Sequence, residues 1–252
     1  MARYAALYRL RPKTPETRLP VIRWALRCLA IIFGFIFAGF LAFQGYVALK
    51  LWWWEDHNPA STAFMEARLA VMREKMPNVK LKQHWVPYGK ISSHLKRAIL
   101  VAEDDRFVDH EGFDWEGIQK AMDKNQKKGK VVAGGSTISQ QLAKNLFLSG
   151  ERSMLRKGEE AIITLMMERL LEKERILEIY LNVIEWGDGV FGAEAASMHY
   201  FGVAAAQLSQ EQAAKLAAMV PRPRFYDRNR NAPWLLKKTQ IILERMPRAQ
   251  LP

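Results

Sequence analysis

The residues of this sequence best suited to acid–base chemistry lie in one acidic stretch, AEDDRFVDHEGFD, at residues 102–114. It has six carboxylates in thirteen positions, in a chain whose formal net charge is +12. The segment ISSHLKRAILVAEDD predicts a helix with Leu95, Ile99 and Ala102 along one apolar face. Glu103 follows Ile99 by four residues and lies at the edge of that face. Partial burial there moves the pKa of a carboxyl group towards the range of a general base or acid, so Glu103 is the candidate catalytic residue.

Two other interpretations of the acidic stretch stay open at this point. In the predicted helix, Asp104 points away from the apolar face. The stretch is also compatible with a solvated helix end, in which His110 is an ordinary hydrogen-bonded polar residue. Its oxygen and imidazole donors could also bind a metal, although their spacing matches neither the calcium-loop pattern nor HExxH. The donors of that second alternative are Asp104, Asp105, Asp109, His110 and Glu111.

A second stretch, GGSTISQQLAKNLFL at residues 134–148, has the residue types of an anion-binding helix N-terminus. Thr137 and Gln140 have the spacing of a capping box, and two glycines before them free the backbone. The predicted helix packs one apolar face, and its polar face consists of Thr137, Gln140, Gln141 and Lys144. Free N–H groups, hydroxyls, amides and a lysine suit a phosphate or diphosphate, and without GxxxxGK[ST] this is not a nucleotide P-loop. The alternative is an ordinary amphipathic helix.

A third stretch, ERSMLRKGEEAIITLMMERLL at residues 151–171, groups cations with a carboxylate. Arg156, Lys157 and Glu160 fall at i, i+1 and i+4 of a predicted helix, and Arg152 lies one turn earlier. Such a group could bind the charged part of a substrate. It could equally be a surface ion-pair ladder worth roughly a few tenths of a kcal/mol. Its position relative to the candidate carboxylate decides between the two.

An uncharged apolar segment at residues 28–49 is long enough to cross a hydrocarbon core of roughly 30 Å. A cleaved signal peptide is the alternative, but its apolar region would be about 7 to 15 residues long and would end at a small-residue cleavage site. Basic residues precede the segment, and three tryptophans at 52–54 and two acidic residues follow it, which places the N-terminus in the cytoplasm and the tryptophans at the membrane interface. The sequence predicts a basic cytoplasmic tail (1–27), a transmembrane helix (28–50) and a domain outside the cytoplasmic membrane (51–252).

Composition excludes several classes of function. The only cysteine is Cys28, at the start of the apolar segment. The remainder of this sequence therefore has no intrachain disulfide, thiolate metal site or cysteine nucleophile. Excess Lys and Arg could indicate nucleic acid, but no nucleic-acid-binding module is recognisable. Beside a membrane, anionic lipid head groups or a phosphorylated lipid are the expected partners.

Beyond the apolar segment the sequence predicts helices and few strands. Helical periodicity covers residues 61–76, 91–107, a helix from about Thr137, a long run from about Ser153 to Ile184, and helices near 208–219 and 233–246. NQKKGKVVAGG, at residues 125–135, predicts a mobile loop between the second and third of these helices.

Four motifs occur in order along the chain: AEDDRFVDHEG, GGSTISQQLAKNLFL, RKGEEA and ILEIYLNVIEWGDGVFGAEAASMHYFG. Over roughly residues 85–225 they resemble the peptidoglycan glycosyltransferases of family 51. The anchor and the chain length resemble the monofunctional members, not the bifunctional penicillin-binding proteins. In agreement with this, the SxxK match at residues 93–96 has no SxN-type or KTG partner.

This resemblance implies a mainly α, lysozyme-like glycosyltransferase domain in the periplasm, with a single anchor in the bacterial cytoplasmic (inner) membrane. The implied activity polymerises lipid II, a disaccharide-pentapeptide on undecaprenyl diphosphate, into β-1,4-linked glycan strands. Lipid II, the nascent glycan strand and membrane lipids are the implied partners. Cell-division proteins and penicillin-binding proteins are further candidates, and nucleic acid is not one.

The resemblance also assigns roles to residues. Glu103 is the base that takes the proton from the 4-hydroxyl of the acceptor sugar, and Glu160 orients nearby cations or holds a divalent cation. Asp104 and His110 support Glu103. No cofactor is required, and the candidate metal is a divalent cation, magnesium or manganese, at Glu160. The residues implied around the substrate diphosphate are Ser136, Gln140, Lys144, Arg152, Arg156 and Lys157.

Two rival functions stay open. A membrane-anchored glycan-cleaving enzyme of lysozyme type would also place glutamates in a helical groove. A non-catalytic cell-wall scaffold would keep the fold without the reaction. The cations of the second and third stretches favour a diphosphate substrate, and the matched glutamates and lysines argue against a scaffold. One departure is Arg222-Pro223-Arg224, where family members often have an asparagine–proline pair, which puts the substrate contacts of that loop in question.

Overall fold

The computed structural model describes residues 18–130, 134–148 and 153–252, with side chains from residue 22 onward. The chain divides into two units between Tyr46 and Val47. In the described ranges the first unit is part of one apolar helix, and the second contains the remaining elements. The expected mainly α fold with an N-terminal apolar helix is confirmed.

The described ranges contain eleven α-helices and three short strands. The helices are α1 (Arg18–Trp53), α2 (Ala63–Arg73), α3 (Ser93–Glu103), α4 (Trp115–Lys128), α5 (Ile138–Phe147), α6 (Met154–Leu170), α7 (Lys173–Val183), α8 (Ala193–Phe201), α9 (Gln210–Met219), α10 (Pro223–Arg228) and α11 (Pro233–Arg245). The strands are β1 (Lys82–Gln83), β2 (Glu185–Gly187) and β3 (Val190–Phe191). They form one sheet of order β1-β3-β2, in which β1 is parallel and β2 antiparallel to β3.

Helix α1 contains the predicted membrane anchor. The part of it from Ile22 to Trp53 is 32 residues long and contains an 18-residue window with a mean hydropathy of 2.3, so it is long and apolar enough to span a bilayer. Within the second unit, Val47, Leu51 and Trp54 are buried, and the Trp54 ring centroid lies 5.4 Å from that of Phe147. The end of α1 is therefore part of the core of that unit, and Trp54 is a core residue instead of an interfacial one.

The centre of the second unit is built on α3. Its predicted apolar face is correct, because Leu95 and Ile99 are fully buried. Helices α9 and α11 pack against it and against each other. Helix α9 contributes small buried side chains, Ala213, Ala214 and Ala217, and short side chains let helix axes approach closely. On the other side of the unit, α5 packs against α6 and α7.

The predicted long run from Ser153 to Ile184 is two helices, α6 and α7, separated by extended backbone at Leu171 and Glu172. The sequence there, MERLLEKER, has no glycine or proline, so helix propensity predicts no break. The break buries Leu171, and it lets Lys173 donate hydrogen bonds to the His110 carbonyl at 2.6 Å and to Glu168 at 3.0 Å. Tertiary contacts override local propensity here.

Helix α4 is absent from the sequence-based expectations. The Asp114 side chain accepts a hydrogen bond from Gly117 N at 3.0 Å and caps its start, and Gly129, at φ 61°, ends it in the left-handed conformation. The helix includes the first four residues of the predicted loop at 125–135, and residues 131–133 of that loop lie outside the described residues. The helix is mostly polar, and its large apolar side chains Trp115 and Met122 are exposed.

Candidate active site

Glu103 lies at the carboxyl end of α3, where the helix stops and Asp104 turns the chain away. Its side chain is 12% exposed, at the edge of the buried helix face where the spacing placed it. It lines an open cleft of about 220 Å³. Other residues around this cleft include Asp104, Asp105, Asp114, Gly134, Gly135 and Ser136.

The two carboxylate oxygens of Glu103 have different surroundings. Gln141 Nε2 donates a hydrogen bond to Oε2 at 3.1 Å, and Tyr180 Oη donates one to Gln141 Oε1 at 3.0 Å. Oε1 of Glu103 is buried and receives no hydrogen bond from the described residues. The nearest described cation is Lys238, whose Nζ lies 3.9 Å from Oε1. One oxygen is therefore held by a hydrogen bond, and the other has no hydrogen-bond partner among the described residues.

Burial raises the pKa of Glu103 above its ordinary value. The charge of Lys238, the hydrogen bond from Gln141 and the charge of Lys144 oppose this rise, in that order, and the charge of Asp104 adds to it. A carboxylate with a raised pKa holds an abstracted proton more strongly, which is the property a general base needs.

Asp104 and His110 hold the floor of the site together. The buried Asp104 carboxylate accepts a hydrogen bond from Ile138 N at 3.0 Å through Oδ2, and His110 Nε2 lies 3.0 Å from Oδ1. The predicted capping box is present, because Thr137 Oγ1 accepts from Gln140 N at 3.2 Å and Gln140 Oε1 accepts from Thr137 N at 3.0 Å. The end of α3 is thus bound directly to the start of α5.

The two neighbouring glutamines of α5 have different positions. Gln140 was the predicted substrate contact, but its side chain is buried and its carbonyl oxygen is used in the capping box. Gln141, which the sequence only placed on the polar face, contacts Glu103 directly. The available signal was its position three residues before Lys144 on that face. Lys144 acts electrostatically on Glu103, and Ser136 is exposed and lines the cleft.

The third stretch lies on α6, which packs against α5. Lys157 Nζ donates to Oε1 of the buried Glu160, and Arg156 is partly buried at the same end of the helix. These three residues do not line the cleft around Glu103 as the structure describes it. Arg152, the fourth member of the predicted cationic group, lies outside the described residues.

A divalent cation shared between Glu160 and the substrate diphosphate stays a prediction. One Glu160 oxygen is occupied by the Lys157 ammonium group, which would compete with a metal for it. Among residues 18–130, 134–148 and 153–252, no three His, Cys, Asp or Glu side chains are grouped as a metal site. The pair fits the other predicted role, in which Glu160 orients Lys157.

Fold and site together define a mainly helical protein whose cleft contains a largely buried glutamate, the candidate acid–base group, beside a capped helix N-terminus. Residues 70–247 match the family model described as Transglycosylase, and the chain belongs to that family. It is 63% identical over 230 residues to the biosynthetic peptidoglycan transglycosylase of Dechloromonas aromatica, covering 91% of this chain and 98% of that protein.

Other relatives give the same result. Proteins of the same description from Janthinobacterium sp. and Nitrosospira multiformis are 60% and 57% identical to this chain. The first alignment covers 84% of this chain and 92% of the relative, and the second covers 91% and 98%. The expectation that the chain is a peptidoglycan glycosyltransferase is confirmed, and neither the glycan-cleaving enzyme nor the scaffold is favoured.

Proposed function

We propose that this protein polymerises lipid II into β-1,4-linked glycan strands, with release of undecaprenyl diphosphate, and that Glu103 is its general base. The observation that supports this assignment best is the asymmetry of the Glu103 carboxylate. Oε2 is held by Gln141, whereas Oε1 is buried, lacks a hydrogen bond from the described residues and belongs to a side chain that lines the cleft. Such an oxygen can accept a proton without first losing another partner.

The reaction needs one base on the acceptor side. The Glu103 carboxylate takes the proton of the acceptor 4-hydroxyl while the hydroxyl oxygen attacks C1 of the donor sugar and the bond from C1 to the diphosphate breaks. Inversion from an α-linked donor to a β-1,4 bond requires no strong general acid, because diphosphate is a good leaving group. A positioned base contributes about 10²- to 10⁴-fold to the rate of such a step.

Charge on the departing diphosphate is the second requirement. Lys144 on α5 acts electrostatically on Glu103, and Ser136 adds a hydroxyl at the cleft. The family resemblance assigns Arg152, Arg156 and Lys157 to the diphosphate as well. Preorganised cations at the point where negative charge develops are usually the largest catalytic contribution. Glu160 acts through Lys157, because its buried carboxylate fixes the position of that ammonium group. Asp104, with His110 beside it, holds the end of α3 against the start of α5.

Glycan hydrolysis of the lysozyme type would need a second free carboxylate near Glu103. Asp104 is bound by Ile138 N and lies beside His110, so both of its oxygens have partners. Asp114, also at the cleft, caps α4 and lies 3.1 Å from Arg106. Asp105 also lines the cleft and is exposed, so the preference for transfer over hydrolysis rests on the family and its relatives.

The proposed location is the cytoplasmic membrane, with the N-terminus in the cytoplasm and the catalytic domain in the periplasm. Basic residues before α1 and the exposed Trp52 and Trp53 at its end support this orientation and contact with membrane lipids. A cysteine introduced at the exposed Lys237 should react with a membrane-impermeant maleimide in spheroplasts, with the unsubstituted protein as control. Labelling only after lysis would show that this domain faces the cytoplasm. Cell-division and penicillin-binding proteins stay predicted partners.

The decisive experiment incubates detergent-solubilised protein with labelled lipid II, alongside Glu103→Gln, and separates polymer from monomer on a gel. Polymer from the unsubstituted protein alone is the expected result. Cleavage of preformed glycan without polymer synthesis would identify a hydrolase. If the folded protein shows neither activity, the remaining interpretation is the non-catalytic scaffold.

A further inference from the structure

Helix α11 brings one lysine into contact distance of the candidate base. Lys238 Nζ lies 3.9 Å from Glu103 Oε1, the buried oxygen that receives no hydrogen bond from the described residues. The Lys238 side chain is 20% exposed, whereas its neighbour Lys237 is exposed to solvent. The position is fixed by the fold, because α11 packs on both α3 and α9.

Burial of this ammonium group is costly and requires compensation. Burial lowers the pKa of Lys238, and the charge of Glu103 opposes that shift. The Nζ atom also lies 5.6 Å from the centre of the Trp234 ring, one turn earlier on α11, where a cation is attracted to the aromatic face. An exposed ion pair would need no compensation for burial and would contribute little to stability.

We propose that Lys238 is a positioning residue for the general base, whose charge 3.9 Å from Oε1 keeps the Glu103 carboxylate ionised in a site that would otherwise favour the neutral acid. This inference rests on the proposed role of Glu103 in polymerisation. Lys238 itself transfers no proton, and its ammonium group stays charged when the proton arrives on Oε1.

The groups that face Glu103 come from several elements. Lys238 is on α11, Lys144 on α5, Asp104 follows Glu103 in the chain, and Tyr180 is on α7. The Tyr180 phenol stays neutral, because burial and the charges of Glu103 and Asp104 raise its pKa. Lys238 has a larger effect on Glu103 than Lys144. Helix α9 also packs on α3, but its charged residues, Glu211 and Lys215, are not among the groups that shift Glu103.

The charge of Lys238 affects the reaction rate in two opposite ways. Lys238 increases the fraction of enzyme whose base is ionised at a given pH. It also weakens that base, because it stabilises the carboxylate over the acid. Loss of the charge should therefore move the acid limb of the pH–rate profile to higher pH, while the rate on the alkaline plateau is kept or increased. A lysine with only a structural role would lower the plateau and leave the limb in place.

The test compares Lys238→Met, which keeps an unbranched stem beside Trp234, with Lys237→Met, the same exchange at an exposed position. Initial rates of lipid II polymerisation below saturation are measured from about pH 5 to about pH 9. On the acid limb, Lys238→Met should be at least about threefold slower than the Lys237→Met control, with plateau rates within about twofold. Lys238→Arg should restore the limb. Coincident limbs for the two methionine variants would overturn the proposal.

A second measurement keeps the proposal testable if Lys238→Met does not fold. In Glu103→Gln, which preserves the shape of the side chain, the pKa of Lys238 should fall because its opposing charge is gone. It can be followed by NMR of ¹³C-methylated lysines, with the signal assigned from Lys238→Arg. An unchanged Lys238 titration would refute the coupling. If the unsubstituted protein makes no polymer, the proposed function fails, whereas polymer with unshifted limbs refutes the role of Lys238 alone.

Discussion

Tyr180 Oη donates a hydrogen bond to Gln141 Oε1 at 3.0 Å, and the same amide donates through Nε2 to Glu103 at 3.1 Å. The buried phenol therefore determines which end of the Gln141 amide faces the carboxylate. Three elements, α3, α5 and α7, meet in this chain of two hydrogen bonds. These bonds fix Oε2, whereas Oε1 receives no hydrogen bond from the described residues.

Tyr180→Phe should lower the rate constant for polymerisation by about tenfold with little change in KM. The exchange leaves the Gln141 carbonyl without its donor, and an unsatisfied buried polar group costs about 1–3 kcal/mol, which the site can relieve by turning the amide away from Glu103. Tyr200→Phe is the matched control, because Tyr200 Oη donates to the Trp186 carbonyl at 2.8 Å and Tyr200 does not line the cleft. Equal rate losses in both variants would show that only general destabilisation is measured.

Glu103→Gln should abolish polymerisation, with a loss of at least about 10²-fold, because the amide cannot take the acceptor proton. It should also stabilise the fold at neutral pH. The pKa of Glu103 in the folded protein is raised above its ordinary value of 4.5, so ionisation weakens the folded state. That cost is absent below the ordinary value, where the carboxyl is protonated in both states, and is complete above the folded pKa.

The thermal unfolding midpoint of Glu103→Gln should therefore exceed that of the unsubstituted protein at neutral pH. The difference should shrink as the pH falls through the pKa of the folded carboxyl. Glu111→Gln, at an exposed position of the same acidic stretch, should change neither the polymerisation rate nor the unfolding midpoint. A midpoint difference that does not vary with pH would mean that burial of Glu103 is not the cause.

Much of the site could be predicted because it depends on local patterns. Spacing along α3 placed Glu103 at the edge of a buried face, and the Thr137–Gln140 spacing identified the start of α5. Both features arise within one helical turn, where side-chain geometry follows from the backbone. The motif resemblance then provided the roles that spacing alone could not assign.

What the sequence could not provide depends on long-range contacts. The break between α6 and α7 lies in a run of good helix formers and is determined by the packing of Leu171 and the bonds of Lys173. The approach of Lys238 to Glu103 depends on α11 crossing α3, which no periodicity specifies. The contact of Gln141 with Glu103 likewise depends on α5 lying beside the end of α3, although the capping box that engages Gln140 was predictable.

Lys157→Ala should reduce polymerisation at limiting lipid II more than at saturation, because the ammonium group is assigned to binding the diphosphate. The buried Glu160 also loses its partner, so some loss of stability is expected alongside the kinetic effect. Arg169→Ala, at an exposed position at the opposite end of α6, removes a cation of the same helix without that pairing. An unchanged rate for Lys157→Ala at limiting substrate would remove this lysine from the diphosphate site.

Trp54→Ala should destabilise the catalytic unit although the residue directly follows the anchor helix. Trp54 is only 7% exposed and packs against Phe147 at the end of α5, the helix that also positions Gln141. Removal of a buried tryptophan typically costs about 3–5 kcal/mol through lost contacts and the cavity left behind. Trp52→Ala is the matched control, because Trp52 is 59% exposed. Thermal unfolding in detergent should show a lowered midpoint for Trp54→Ala alone, and equal midpoints for the two variants would return Trp54 to the interfacial role that the sequence suggested.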